Sequence, residues 1–483
     1  MKSARLKGGG FNLSYGNKQF GYIPYADLLA HLTLEHTDVN RALGAWVNFK
    51  ELPGYVPFSL ELVPRLERLE HLETSANLTD VIDFALETGA SRFGQLVLND
   101  IRGRLATRLD LQQRLLETLE ERYRDKVRDL GRLGEALGAV RHLLKTLPAN
   151  ASPRMRLLWY LLALQDANHD GDPIRIRATA ETYLRERETL KQNERELCAD
   201  ADLNLAVHYA DRFAFGHAEV TVGEWIEDPL FLALSPRQRG RLYSALGQYR
   251  AMQDDAQVAE GLFLKALGLF TQASLSEGER AGELEQTSIY RAINALDGDL
   301  RCTMQALEAV FGPITAATGK AWAGDGSLAN QYRHHLFLRA ICLRPDLDSA
   351  RLAYLAGRDH WQVGHPQHPW PSIHGYRGFL LWNQETLDEG LVAASLAAFD
   401  RAIALALLDR HGATISLIGA LWATVAACCF ENVDYGTPAR TLLGRSGSLP
   451  DAAPVIATLN KVLAAPEPSL IGEALGAMPF NYR

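Results

Sequence analysis

The chain has 483 residues, too many for one ordinary hydrophobic core, so about three domain-sized units are expected. Apolar residues make up 47% and charged residues 22%, which excludes a disordered chain. The net charge of −8 argues against a nucleic-acid binder, which shows a basic domain or stripe.

The five cysteines (Cys198, Cys302, Cys342, Cys428 and Cys429) are odd in number and form no CxxC pair. Most lie within apolar helical pattern, as buried thiols of a reducing compartment do. The opening MKSARLKGGGF has positive charge with no apolar run behind it. No secretory signal is therefore expected, and the expected location is cytoplasmic.

Residues 1–25 stand apart from the rest. FNLSYGNKQFGYI alternates aromatic and polar residues around Gly16–Asn17, which predicts a β-hairpin with a two-residue turn. An irregular extended arm fits the same residues. Phe11 and Tyr15 are its candidates for partner contact, by strand addition at an open edge.

From Tyr25 onward strand signal nearly vanishes and helical periodicity dominates, so the fold class is all-α. Residues 26–147 read as an N-terminal helical region. Helices are expected near 25–34, 37–48, 59–72, 78–87 and 91–105, with one or two long ones reaching 147. Leu109, Leu116, Tyr123, Leu130, Leu137 and Leu144 recur every seven residues. Leu105, Leu119, Leu133, Val140 and Leu147 form a second track. Charged flanks in the first half suit a two-stranded coil and a homodimer through 105–130. Gly131, Gly134 and Gly138 instead predict a break and helices packed within the chain.

Residues 148–320 read as helical hairpins, 153–168 with 173–190, 193–213 with 216–226, 236–253 with 255–272, and 277–296 with 299–312. Between the first two helices, Asp166, Asn168, Asp170 and Asp172 stand at calcium-loop spacing. Arg177 occupies the twelfth position, where a bidentate Glu is required, so a polar turn is expected. The Gly- and Ala-rich stretch 313–327 reads as a linker.

Residues 321–483 form a C-terminal helical region, with helices near 327–343, 347–363, 371–383, 386–408, 412–430, 437–444, 451–464 and 469–477. The nineteen residues 412–430 carry no charge and approach spanning length. Their Ala, Gly, Ser and Thr content favours a helix buried among others, and no membrane contact is expected.

In the hairpin 240–271, Gly240, Tyr243, Leu246, Gly247, Ala259, Phe263, Ala266 and Leu267 alternate small and large residues at fixed offsets. This pattern resembles the tetratricopeptide repeat, with Thr271 where the usual Pro stands. Ser395, Phe399, Ala402 and Ile403 reproduce its second-helix part four thirty-four-residue steps later. Frames between do not fit, so that register is read as coincidental. The resemblance implies an irregular TPR-like right-handed α-solenoid whose concave groove holds a peptide or a partner protein. Arg241, Gln248, Asn204, His208 and Arg333 are its groove candidates. The function implied is that of a scaffold, adaptor or regulatory subunit.

DHWQVGHPQHPWPSIHGY at 359–376 is the densest unusual cluster. His365, His368 and His374 are the candidates for a metal, although no recognised ligand spacing emerges. Its three prolines suit a rigid turn, and Trp361, Trp370 and Tyr376, with Trp382 beyond, are candidate anchors for a partner. A ligand- or metal-binding sensor or enzyme at this cluster is the alternative function. The chain carries no GxxxxGK[ST], GxSxG or HExxH motif, so no catalytic residue and no cofactor are assigned.

Overall fold

In the computed structural model the described residues are 6–7, 10–11, 69, 72, 75–88, 92–125, 143–144, 150–170, 173–296, 300–311, 328–343, 370–408 and 413–482. They hold eighteen α-helices, as the all-α expectation requires. Near the start, Leu6–Lys7 and Gly10–Phe11 pair antiparallel, with Leu6 opposite Phe11. The expected turn at Gly16–Asn17, the break at Gly131, the linker 313–327 and the cluster 359–369 lie outside the described residues.

The chain divides into two units, residues 1–125 with 135–151, and residues 126–134 with 152–483. The first contains α1 (Ser75–Thr88), α2 (Arg92–Leu105) and α3 (Leu109–Asp125). The apolar face of α3, formed by Leu111, Leu115, Leu116 and Leu119, is buried, and α3 packs on α1. Gln112 Nε2 donates to Leu105 O at 2.6 Å across the α2–α3 corner. The heptad residues Leu105, Leu116 and Leu119 are thus covered within the chain. An intermolecular coil would have to strip them from that contact.

In the second unit the helices come in hairpins, α4 (Pro153–Asp170) with α5 (Pro173–Asn193), α6 (Arg195–Asp211) with α7 (Phe215–Glu227), and α8 (Pro236–Met252) with α9 (Ala256–Gln272). Then come α10 (Glu277–Ala295) with α11 (Leu300–Phe311), and α12 (Leu328–Leu343). The last are α13 (Trp370–Trp382) with α14 (Glu389–Leu408), α15 (Ala413–Cys429) with α16 (Gly436–Ser446), and α17 (Ala453–Ala464) with α18 (Ile471–Ala477). Each hairpin's first helix touches the next one's, from α4 through α6, α8, α10, α12, α13 and α15 to α17. Ser235 caps α8 ahead of Pro236, Asp255 caps α9, and Ser276 with Glu279 forms a capping box on α10.

Small residues set the closeness of these pairs. A Cβ on Gly247 would lie 2.8 Å from the Phe263 ring, and one on Gly240 would lie 2.6 Å from Phe270. Gly378 and Phe399 repeat this contact between α13 and α14 at 2.9 Å, and Ser395 Oγ donates to Gly378 O at 2.7 Å. The match at Ser395, Phe399, Ala402 and Ile403 therefore reflects packing; the longer α13–α14 connection takes it out of a fixed frame. In α6–α7, Leu205, Ala206, Ala218, Val222 and Trp225 are all buried at the offsets of Leu246, Gly247, Ala259, Phe263 and Ala266. The shift between these two hairpins is 41 residues, not thirty-four.

Among the described residues one helix, α14, is long and apolar enough to cross a membrane. It packs on α13 and α15. The uncharged α15 is buried from Thr414 to Cys428, as a helix enclosed by others is.

A buried charge ties α5, α6 and α7 together. Asp202 is 0% exposed and accepts from Arg187 Nε at 3.1 and 2.8 Å, Tyr183 OH at 2.7 Å and Trp225 Nε1 at 2.6 Å. Burial pushes its carboxyl up, and the Arg187 guanidinium and the two neutral donors pull it back. Beside it, Lys191 Nζ meets Asp228 at 2.5 Å and lies 4.3 Å above the Trp225 ring.

Two stability tests follow from this packing. Gly268→Ala, with open space around its Cβ, should raise unfolding free energy by up to about 1 kcal/mol, and Gly247→Ala should lower it by about 1–3 kcal/mol. Asp202→Asn takes the buried anion from Arg187, leaving it only the more exposed Glu188 and Glu224, and should lower it by about 2–4 kcal/mol in urea denaturation.

Candidate functional site

The face made by the first helices is occupied near its middle by residues 480–482. Phe480–Tyr482 form one 3₁₀ turn that packs on α8 and α10. Arg339 of α12, itself buried, donates from Nη1 to Phe480 O at 2.7 Å. Tyr482 OH donates to Asp211 Oδ1 at 3.4 Å, at the end of α6. The Tyr482 ring stacks 5.3 Å from Phe213 and 6.3 Å from Phe215, in the α6–α7 turn. Phe480 lies 6.4 Å from Tyr290, which stands 5.9 Å from Tyr332. Thr414, opening α15, donates to Asp211 O.

Strain marks both sides of this contact. Phe213 has φ 59° and Phe480 has φ 37°, a region that a bulky L-residue rarely enters. Each is held at a cost of about 1–3 kcal/mol, so the surrounding packing must over-determine it.

Asp211 is the electrostatic centre. Its side chain keeps exposed surface, yet enough protein surrounds it that desolvation pushes the carboxyl up to about 7, against only the Tyr482 hydrogen bond. Burial raises the phenols of Tyr249, Tyr290, Tyr332 and Tyr482, and the charge of Asp211 adds to the rise at Tyr249, Tyr332 and Tyr482.

The residues expected from sequence fall elsewhere. Arg241 is ion-paired to Asp200 at 2.5 Å, Arg333 pairs with Glu285, and Asn204 Nδ2 donates to Asp200 O. Gln248 is half-buried and donates to Ser244 O. These polar groups tie first helices to one another or cap their own backbone. His208 is buried, and desolvation with Arg212 and Arg177 pushes it down to about 4.

Tyr376 is a correction: α13 turns it into the core, fully buried, with its ring 4.6 Å from Trp422. The helix expected over 371–383 is observed from Trp370 to Trp382, and it also buries His374. Its imidazole is pushed down to about 3 by burial, Arg377 and Arg401. Trp382 is half-buried and stacks on Phe379. Trp361, His365, His368 and Tyr15 lie outside the described residues, as do the side chains of Trp370 and Phe11. Among the described residues no three His, Cys, Asp or Glu side chains group to hold a metal. Asp166, Asn168 and Asp170 are part of α4.

Sequence reading missed Asp211, Tyr249, Tyr290, Tyr332 and Tyr482. One signal was available: Tyr249, Tyr290 and Tyr332 stand 41 and 42 residues apart, close to the shift between α6–α7 and α8–α9. No family model matches the chain, and neither does any curated protein or solved structure.

The buried imidazoles carry a pH test. His208 and His374 are neutral in the fold and take up protons near 6.5 when unfolded. Stability should therefore fall as pH drops below 6.5, by up to about 1.4 kcal/mol per pH unit for each. Asp211 works in the opposite sense, losing stability as pH rises from about 4 to 7. The difference in melting temperature between native chain and His208→Gln, followed from pH 7.5 to 4.5, isolates the histidine term. It should shift steadily in favour of the variant.

Proposed function

We propose that the chain is an irregular TPR-like right-handed α-solenoid that binds a peptide or partner protein on the face built by its first helices. It would act as a scaffold, adaptor or regulatory subunit. The consecutive contacts of first helices and the glycine–phenylalanine contacts in α8–α9 and α13–α14 support the architecture.

The observation that carries the binding reading is the seating of residues 480–482. A short stretch of this chain's own backbone already lies on that face, held by Arg339 at a carbonyl and by aromatic stacking on the α6–α7 turn. A groove that accepts a backbone carbonyl and an aromatic side chain in cis has the groups to accept them from another chain. Main-chain hydrogen bonds with aromatic anchors are a general mode of peptide capture.

The test uses a peptide in trans. The double variant Phe480→Ala, Tyr482→Ala vacates the seat within the full chain. A labelled peptide of residues 478–483, MPFNYR, should bind this variant in fluorescence anisotropy and leave the native chain unbound. Absence of binding to a folded double variant, or equal binding to both chains, would refute the reading.

A further inference from the structure

We propose, on the reading that this face binds a peptide or partner protein, that the partner presents a tight turn with phenylalanine and tyrosine two residues apart, Phe-x-Tyr. Asp211 is the specificity-determining residue, which selects the tyrosine hydroxyl.

The seated turn is the template. Tyr482 N–H donates to Pro479 O at 3.0 Å, so residues 479–482 close a four-residue turn. Its two aromatic side chains are buried against different elements. Phe480 meets Tyr290 of α10 at 6.4 Å, whereas Tyr482 stacks on Phe213 at 5.3 Å and Phe215 at 6.3 Å. The buried Arg339 holds the turn at Phe480 O, 2.7 Å away. A grip on a main-chain carbonyl is indifferent to sequence, so preference comes from the places taken by the two rings.

Three features narrow what those places accept. The Tyr482 ring lies within 28° and 25° of the planes of Phe213 and Phe215, which favours a flat aromatic over an aliphatic side chain. Its hydroxyl donates to Asp211 Oδ1 at 3.4 Å, and a phenylalanine there has the ring without the donor. Phe480 stands at φ 37°, a region in which a β-branched residue is least tolerated, so valine and isoleucine are disfavoured at the first position.

The receptor is the full-length double variant Phe480→Ala, Tyr482→Ala. The probes are labelled peptides of residues 478–483: the parent sequence, one with Tyr482→Phe and one with Phe480→Val. In fluorescence anisotropy, Tyr482→Phe should weaken binding about three- to tenfold. Phe480→Val should weaken it at least about tenfold. Adding Asp211→Ala to the receptor should bring the parent and Tyr482→Phe peptides to equal affinity, which closes a double-mutant cycle. Equal binding of those two peptides to the unmodified receptor would overturn the proposal and leave the peptide-binding reading intact. So would an undiminished preference after Asp211→Ala, or a Phe480→Val peptide that binds as tightly as the parent. Binding of no peptide to the folded receptor would overturn both. Should the double variant not fold, the cycle is read in cis from the melting temperatures of the native chain, Tyr482→Phe, Asp211→Ala and the two combined. A combined shift smaller than the sum of the single ones is expected, and strictly additive shifts overturn the selection by Asp211.

Discussion

The second unit depends on a fully buried carboxylate. Asp202 sits in the middle of α6 and takes hydrogen bonds from Arg187, Tyr183 and Trp225, which come from the helices before and after it. Removing a charge from water costs several kcal/mol, and here three side chains supply the compensation. A buried pair of this kind adds little net stability over well-packed apolar residues. What it adds is geometry, since Arg187 and Trp225 accept one rotation of α6 about its axis. Asp211 follows nine residues later, about two and a half helical turns. With Asp202 locked toward α5 and α7, Asp211 is directed to the opposite side, where Tyr482 meets it.

Spacing between paired helices is governed by missing side chains. Phe263, Phe270 and Phe399 are fully buried because Gly247, Gly240 and Gly378 leave room for their rings. Gly375 does the same for Trp422, and Gly419 for Ala406. The same device thus operates in α8–α9 and through α13 to α15, while α6–α7 uses Ala206 with Val222 at the equivalent positions. Substituting alanine for glycine and valine for phenylalanine keeps the fit with less volume on both sides.

Much of the helical layout was legible in the sequence, because it follows from local signals. The hairpin 236–253 with 255–272 differs from the observed α8 and α9 by a residue at an end, since Ser235–Pro236 and Asp255 cap where such residues should. The site was not legible. Asp211, Tyr249, Tyr290, Tyr332 and Tyr482 carry no motif, and only the stacking of first helices brings them together. A thirty-four-residue frame hid the recurrence that the 41-residue shift displays. Tyr376 misled for the opposite reason: beside Trp361 and Trp370 it reads as a surface anchor, yet the helix expected over 371–383 turns it into the core, with the small Gly375 against Trp422.

Strain decides how firmly residues 480–482 are held. Phe213 and Phe480 together carry about 2–6 kcal/mol of backbone cost. Burial of the Phe213, Phe480 and Tyr482 side chains, each under a tenth exposed, returns about 1.5–3 kcal/mol apiece, with the Arg339 hydrogen bond in addition. Burial thus outweighs the strain, and the seated turn is held against it. Phe213 also belongs to the α6–α7 turn, whose position Asp202 fixes from the other side of α6. Unseating Tyr482 would uncover the ring of Phe213 while its strained backbone stays in place. The open face would therefore keep an exposed aromatic surface beside the Asp211 carboxylate, and any occupant that restores the stacking recovers the same burial.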